Sequence, residues 1–387
     1  MPLQEEQKIK RRFNLRLYFR QQPVIFAVLT VLAIAFFLIV TGLSRLYKSQ
    51  RESLGNRWFA RGVAELNMKN YVAAVSDFRG ALLYSRDNYS YQLNLAEALI
   101  GEGHTGEASA YLLNLWDREP DNGQVNLELA RIAAHQGKTK EAIRYYHDAV
   151  YAAWPSDQDE NRHQARLELI QLLLRTQAYT DAQSELIALS ENVGDEPGRE
   201  ASIGELFLQA QDPEHALGAF RITLKTDRHN LAALAGAGNA AFQLQRYQVA
   251  ERYLQEAVAE DPKDAQSASR LKTTESVLHL DPFQRQISAS ERSRRVTEAF
   301  DVAGQRLEKC PVQGTGVHPG GSISSLNDEW STMKPKITPR ELRGNPELVD
   351  SAMDLVFRIE RQSSLVCGTP TGEDLALMLI AKVHEGT

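Results

Sequence analysis

Along residues 55–264, small and large apolar residues return every 34 positions, and polar residues fill the intervals. The copy 231–264 shows the pattern best: LAALAGAGNAAFQLQRYQVAERYLQEAVAEDPKD carries Gly238 and Ala250 at its eighth and twentieth positions and Pro262 near its close. The same frame gives copies 55–88, 89–122, 123–156, 163–196 and 197–230, so the phase breaks once, at the insertion Asp157–Arg162. The eighth position holds Gly62, Ala96, Ala130, Ile170, Gly204 and Gly238, and the twentieth holds Ala74, Ala108, Ala142, Ala182, Ala216 and Ala250. Four residues after each of those alanines stands Phe78, Leu112, Tyr146, Leu186, Phe220 or Leu254, one helical turn further on the same face. Two antiparallel helices approach closely where side chains are small, and a large neighbour fills the groove beside them. Each copy therefore predicts a packed helix pair and a stop, and a repeat of this length predicts a stacked array whose members bury area against their neighbours.

These residues resemble the tetratricopeptide repeat (TPR), whose unit pairs an early aromatic and a small residue with a later Ala-x3-Phe and a closing proline. Trp58 and Gly62 open the first copy in that manner, and Pro120 and Pro262 close the second and sixth. Ile170 departs from the small-residue position, Arg86, Gly194 and Arg228 replace the terminal proline, and Trp154-Pro155 brings it one residue late, so those copies are expected to be less regular. The resemblance implies an all-α superhelical solenoid whose concave face binds peptides or protein surfaces, with the second, fifth, ninth and twelfth positions of each first helix looking inward. It thereby nominates Asn94, Glu97, Arg131, His135, Gln171, Glu205 and Asn239 as the protein-binding groove. Leu93, Leu127 and Leu167 stand where the family's carboxylate-binding clamp would need lysines and asparagines, which argues against capture of a free chain end by that clamp. Taken singly, Glu97, Arg131 or Glu205 reads more readily as a solvated helix residue.

Residues 24–44, VIFAVLTVLAIAFFLIVTGLS, contain no charge and as a helix would cross a hydrocarbon core about 30 Å thick. An uncleaved transmembrane helix is the expectation. A buried core helix would rarely be so long without a charged edge, and a cleaved signal peptide, though suited by the basic stretch Lys8–Arg20, would have a shorter apolar run and an Ala-x-Ala site. Lys and Arg flank both ends, so the positive-inside rule leans only slightly toward a cytoplasmic basic tail, residues 1–23, and repeats on the far side.

After the array, residues 265–310 read as capping helices: Ala265–Leu280 is amphipathic, and Ser288-Ala-Ser-Glu291 has capping-box spacing ahead of Val296, Phe300, Ala303 and Leu307. Residues 311–338, rich in Gly, Ser and Pro without a period, read as a flexible linker that Trp330 could pin. Residues 339–387 read as a C-terminal helical segment, with one helix begun by Asn345-Pro346 and another capped by Thr371. The two cysteines, Cys310 and Cys367, are a disulfide candidate if the repeats lie in an oxidising compartment, where the bond would contribute about 4 kcal/mol through loop entropy; in the cytoplasm they would be two thiols.

Composition narrows the function. The net charge is −6, and residues 1–23 carry +4 of it, so the remainder is acidic, which disfavours nucleic acid as a partner. Gly236-Ala-Gly238-Asn-Ala-Ala241 fits a loose dinucleotide fingerprint but falls inside a predicted helix, and the run Gly314–Gly321 lacks the Lys of a phosphate loop. No His or Cys spacing suits a metal and no nucleophile motif appears, so no metal, no cofactor and no enzyme is expected. The resulting expectation is a single-pass membrane scaffold binding protein or peptide partners, with its repeats in the periplasm of a bacterial inner membrane, the bacterial part resting on resemblance to membrane-anchored TPR proteins. Two alternatives stay open: a cytoplasm-facing adaptor, and an enzyme carried by the C-terminal module.

Overall fold

The computed structural model describes residues 3–152, 154, 159–191, 197–310 and 323–384. Among them are eighteen α-helices and no strand, in two compact units, Met1–Leu172 and Leu173–Thr387.

The first unit begins with α1 (Leu3–Asn67), one continuous helix. Its apolar stretch is long enough to cross a membrane and packs on nothing: Phe26, Phe36 and Phe37 are 67%, 70% and 68% exposed. The helix then runs unbroken through Trp58 and Gly62, so the apolar stretch and the first helix of the first copy are a single rod. Helix α2 (Tyr71–Tyr84) folds back on its end, and α3 (Tyr89–Glu102) pairs with α4 (Thr105–Arg118) and α5 (Gly123–His135) with α6 (Thr139–Tyr151). Helix α7 (Asp159–Arg175) takes its first turn from the last four residues of the insertion. In the second unit come α8 (Tyr179–Ser190), the pair α9 (Pro197–Gln209) and α10 (Pro213–Thr226), and the pair α11 (Leu231–Gln243) and α12 (Tyr247–Glu260).

The small residues have the packing role their spacing suggested. A Cβ on Gly62 would lie 2.7 Å from Phe78 Cε1, on Gly204 2.8 Å from Phe220 Cε1, and on Gly238 2.6 Å from Leu254 Cγ. All six alanines of the twentieth position are fully buried. Gly236 and Gly238 are thus helix-packing residues, as their place in a helix required.

Two further regularities hold the pairs in shape, and neither was drawn from the spacing. The fifteenth position of every copy is left-handed: Lys69, Gln177, Gln211 and Gln245 have φ of 58–59°, and Gly103 and Gly137 φ of 90° and 72°. The next residue's N–H reaches back five residues, as in Arg246 N to Ala241 O (2.9 Å) and Lys138 N to Ala133 O (2.9 Å), closing each first helix by a Schellman turn. At the thirty-fourth position Asn88, Asn122, Asn230 and Asp264 cap the helices that follow, accepting from Tyr91, Val125, Ala233 and Ser267 N–H groups at 3.0–3.2 Å.

The array ends on α13 (Ala265–Leu280), which packs against α12 and α11, and on α14 (Ala289–Lys309), capped by Ser288. The stretch 311–338 requires a correction. Residues 311–322 lie outside the described residues, but Ile323–Met333 form α15, followed by a 3-10 turn at Lys334–Lys336 and the short α16 (Pro339–Gly344). Ile323, Leu326 and Trp330 supply a buried helical stripe too short to stand out among Gly and Ser, and Trp330 stacks on Phe300 while its indole N–H donates to the Phe300 carbonyl at 2.9 Å. Helices α17 (Pro346–Val366) and α18 (Gly372–His384) complete one hydrophobic core with α13 and α14. Cys310, at the end of α14, and Cys367, after α17, are joined with Cα atoms 5.5 Å apart. In the same module Glu360 is fully buried and neither carboxylate oxygen has a hydrogen-bond partner; burial, and then the nearby Asp374, push its carboxyl up to about 8 against the pull of Arg306.

Candidate functional site

In the first unit the first helices α3, α5 and α7 bring a polar cluster together around Arg131. Its guanidinium donates from Nε and Nη2 to the two oxygens of Glu168, at 3.0 and 2.7 Å, and from Nη1 to Glu128 at 2.6 Å. Gln164 and the Tyr146 hydroxyl each add a bond to Glu168 at 3.0 Å. Burial works to raise the Glu168 carboxyl, but the bonds from Arg131, Gln164 and Tyr146 outweigh it and hold the carboxyl below its ordinary value. Glu97 accepts from Gln124 at 2.9 Å. Burial, and next the charge of Glu128, push its carboxyl up to about 7. Glu128 is raised too, by burial first, with Arg131 opposing. Two carboxylates thus share one arginine, with Glu97 near them, and Arg131 is a structural tie, not a free charge on the surface.

In the second unit the side-by-side helices α9, α11 and α13 form a pocket of about 350 Å³. From α11 it is lined by the small residues Ala232, Ala235 and Gly236 together with Leu231 and Asn239, with Phe220 beneath; Glu205 and Leu208 come from α9, and Arg270 from α13. The Arg270 guanidinium donates from Nη1 to the Asn239 amide oxygen and lies 5.3 Å from the Phe242 ring centroid, and burial holds its pKa below the ordinary value. No carboxylate among the described residues pairs with it.

Of the seven groove residues nominated from the sequence, Glu97 and Arg131 meet in the first cluster, and Glu205 and Asn239 line the pocket. Asn94 turns its amide back to the Ser90 carbonyl at 2.9 Å, and His135 and Gln171 are exposed and join neither group. Reasoning from the sequence missed Gln124, Glu128, Tyr146, Glu168 and Arg270. A signal for three of them was present: Glu128, Glu168 and Arg270 share the sixth position of the frame, if the frame is carried on through 265. That position lies three residues before the ninth, hence on the same helical face.

Residues 93–158 and 202–265 match the sequence profile of the tetratricopeptide repeat. With their helix pairs and packing, these two stretches are tetratricopeptide repeats, the unit of a class of protein-interaction scaffolds. No curated protein sequence matches the chain. Among solved structures it is similar to YrrB, a TPR protein with an unusual peptide-binding site (15% identity, 49% of this chain and 95% of that one, TM-score 0.40). It is also similar to PilF of Pseudomonas aeruginosa (14%, 57% and 97%, TM-score 0.40) and to the C-terminal part of a TPR repeat-containing protein of Cytophaga hutchinsonii (10%, 83% and 99%, TM-score 0.43).

Proposed function

We propose that this protein is a membrane-anchored scaffold that recruits or holds partner proteins through the face formed by the first helices of its repeats. The reading rests on the pocket between α9, α11 and α13, where a small-residue floor and polar walls leave unfilled space that the packing of the helices does not require. The exposed apolar stretch of α1, continuous with the first repeat, would anchor that repeat at a bilayer. The reading puts the repeats on the extracytoplasmic side of a bacterial inner membrane; the joined pair Cys310 and Cys367 favours an oxidising compartment.

Ala232 is exposed in the pocket floor, so Ala232→Trp fills the space without entering the core. Proteins cross-linked to the full chain in native membranes should be lost with Ala232→Trp and kept with an outer-face change such as Arg221→Glu. Recovery unaffected by Ala232→Trp would move binding off this face. Protease added to intact spheroplasts should digest the repeats; full protection would place them in the cytoplasm.

A further inference from the structure

We infer that the pocket of the second unit recognises an acidic side chain, Asp or Glu, within a protein segment, and that Arg270 is the residue that reads it. The inference rests on the pocket being the binding site and adds the chemistry of what enters.

Several arginines of the repeats and their cap are matched by a carboxylate: Arg61 by Asp77, Arg79 by Glu107, Arg131 by Glu128 and Glu168, Arg246 by Glu214, Arg294 by Glu291 and Glu298. Arg118 and Arg292, which donate to backbone carbonyls, and Arg144 and Arg252, which lie over tyrosine rings, are exposed and keep their hydration. Arg270 is half-buried at the pocket wall with only a neutral amide and an aromatic face for company. A desolvated guanidinium holds five N–H donors in a planar fork, and Asn239 takes one. The ring of Phe242 holds that plane from one side, so the fork is oriented before a ligand arrives and less freedom is lost on binding. The nearby carboxylate of Asp264 accepts from the Gln266 and Ser267 N–H groups at the start of α13 and is committed to capping.

Glu205 gives the pocket a second, opposite pole. It is exposed and makes no hydrogen bond or ion pair with the described residues, and it lies two helices away on α9. A segment that is acidic throughout would meet repulsion there, whereas one that places an acidic side chain on Arg270 and a neutral or basic one toward Glu205 is complementary at both ends. Between the poles the short side chains of Ala232 and Ala235 let a backbone approach closely.

The test uses the full chain in detergent micelles and a displayed library of random heptapeptides. Selected peptides should be enriched in Asp or Glu at one position; replacing that residue by its amide, or Arg270→Gln, should weaken binding by about tenfold or more. Selection on Arg270→Glu should exchange the acidic preference for Lys or Arg, an outcome that mere loss of folding cannot imitate. Glu205→Lys should raise the tolerance for a second acidic residue. Absence of acidic enrichment, or the same enrichment on Arg270→Glu, overturns the inference. If Ala232→Trp still abolishes binding in that case, the pocket stands as the binding site and only its chemistry was misread; if peptides bind regardless of Ala232→Trp, both readings fall. Loss on C-terminal amidation combined with indifference to the amide replacement would assign Arg270 to a chain end and also overturn the side-chain assignment.

Discussion

Arg131 on α5 and Glu168 on α7 form a two-pronged ion pair, Nε and Nη2 to the two carboxylate oxygens at 3.0 and 2.7 Å, and it ties the first helices of consecutive repeats together. Removing the arginine leaves the buried Glu128 without its partner and close to the charge of Glu168, which keeps only Gln164 and Tyr146, whereas removing one acid leaves the arginine its other partner. Arg131→Ala should therefore cost about 2–3 kcal/mol and Glu168→Gln about 1–2 kcal/mol. Chemical denaturation of the two single variants and the double variant checks this; additive losses would show that the pair is not coupled.

The carboxyls of Glu97 and Glu360 titrate at about 7 and about 8 in the fold against an ordinary value of 4.5. The folded chain consequently holds protons that the unfolded chain has already released, and stability should fall as pH rises from about 5 to about 8. Glu97→Gln imitates the protonated form and should raise the melting temperature at pH 8 while changing little at pH 5. An equal effect at both values would remove burial of Glu97 as the cause.

Gly238 seats Leu254, and Ala250 lies one turn before that leucine on α12. Both Gly238→Ala and Ala250→Leu should overpack the α11–α12 pair at a cost of about 1–3 kcal/mol. Since each repeat packs on its neighbours, hydrogen exchange should accelerate most in α11 and α12; uniform acceleration over the chain would contradict a local origin.

At the left-handed fifteenth position, Gly137→Gln should cost about 1 kcal/mol, and Gln245→Gly should be neutral or stabilising, because a side chain there costs more than the lost freedom of glycine saves. Thermal melts of the two variants should shift in opposite directions or only the first should shift. Destabilisation by Gln245→Gly would mean that the Gln245 side chain makes a contact worth more than the backbone strain.

Reduction, or Cys310→Ser with Cys367→Ser, should loosen the C-terminal module by about 2–4 kcal/mol. Protein alkylated at harvest and weighed without reductant should show no alkylated thiol. Two alkylated thiols would remove the chief support for an oxidising compartment.

The sequence by itself determined whatever depends on periodicity and local sterics. A 34-residue return of small and large residues compels helix pairs, because only Gly or Ala at positions such as 238 and 250 lets the helices close over Leu254. An uncharged run of 21 residues, 24–44, compels an apolar helix with nothing to bury against inside so small an array. The helix starts at Ser288 and Asn345 could be read because a cap acts on the residues next to it. Only the tertiary structure decided which charges meet. Arg131 finds Glu168 thirty-seven residues away and Arg270 finds Asn239 thirty-one residues away, through stacking that sets helix neighbours and rotation, and a rotation of one position along the face exchanges a solvated carboxylate for a buried partner. It likewise decided that α15 is a helix, since Trp330 gains its place from Phe300 thirty residues earlier and not from its Gly- and Ser-rich surroundings, and that Lys69, Gln177, Gln211 and Gln245 adopt a conformation their side chains disfavour, because the Schellman turn between packed helices admits no other.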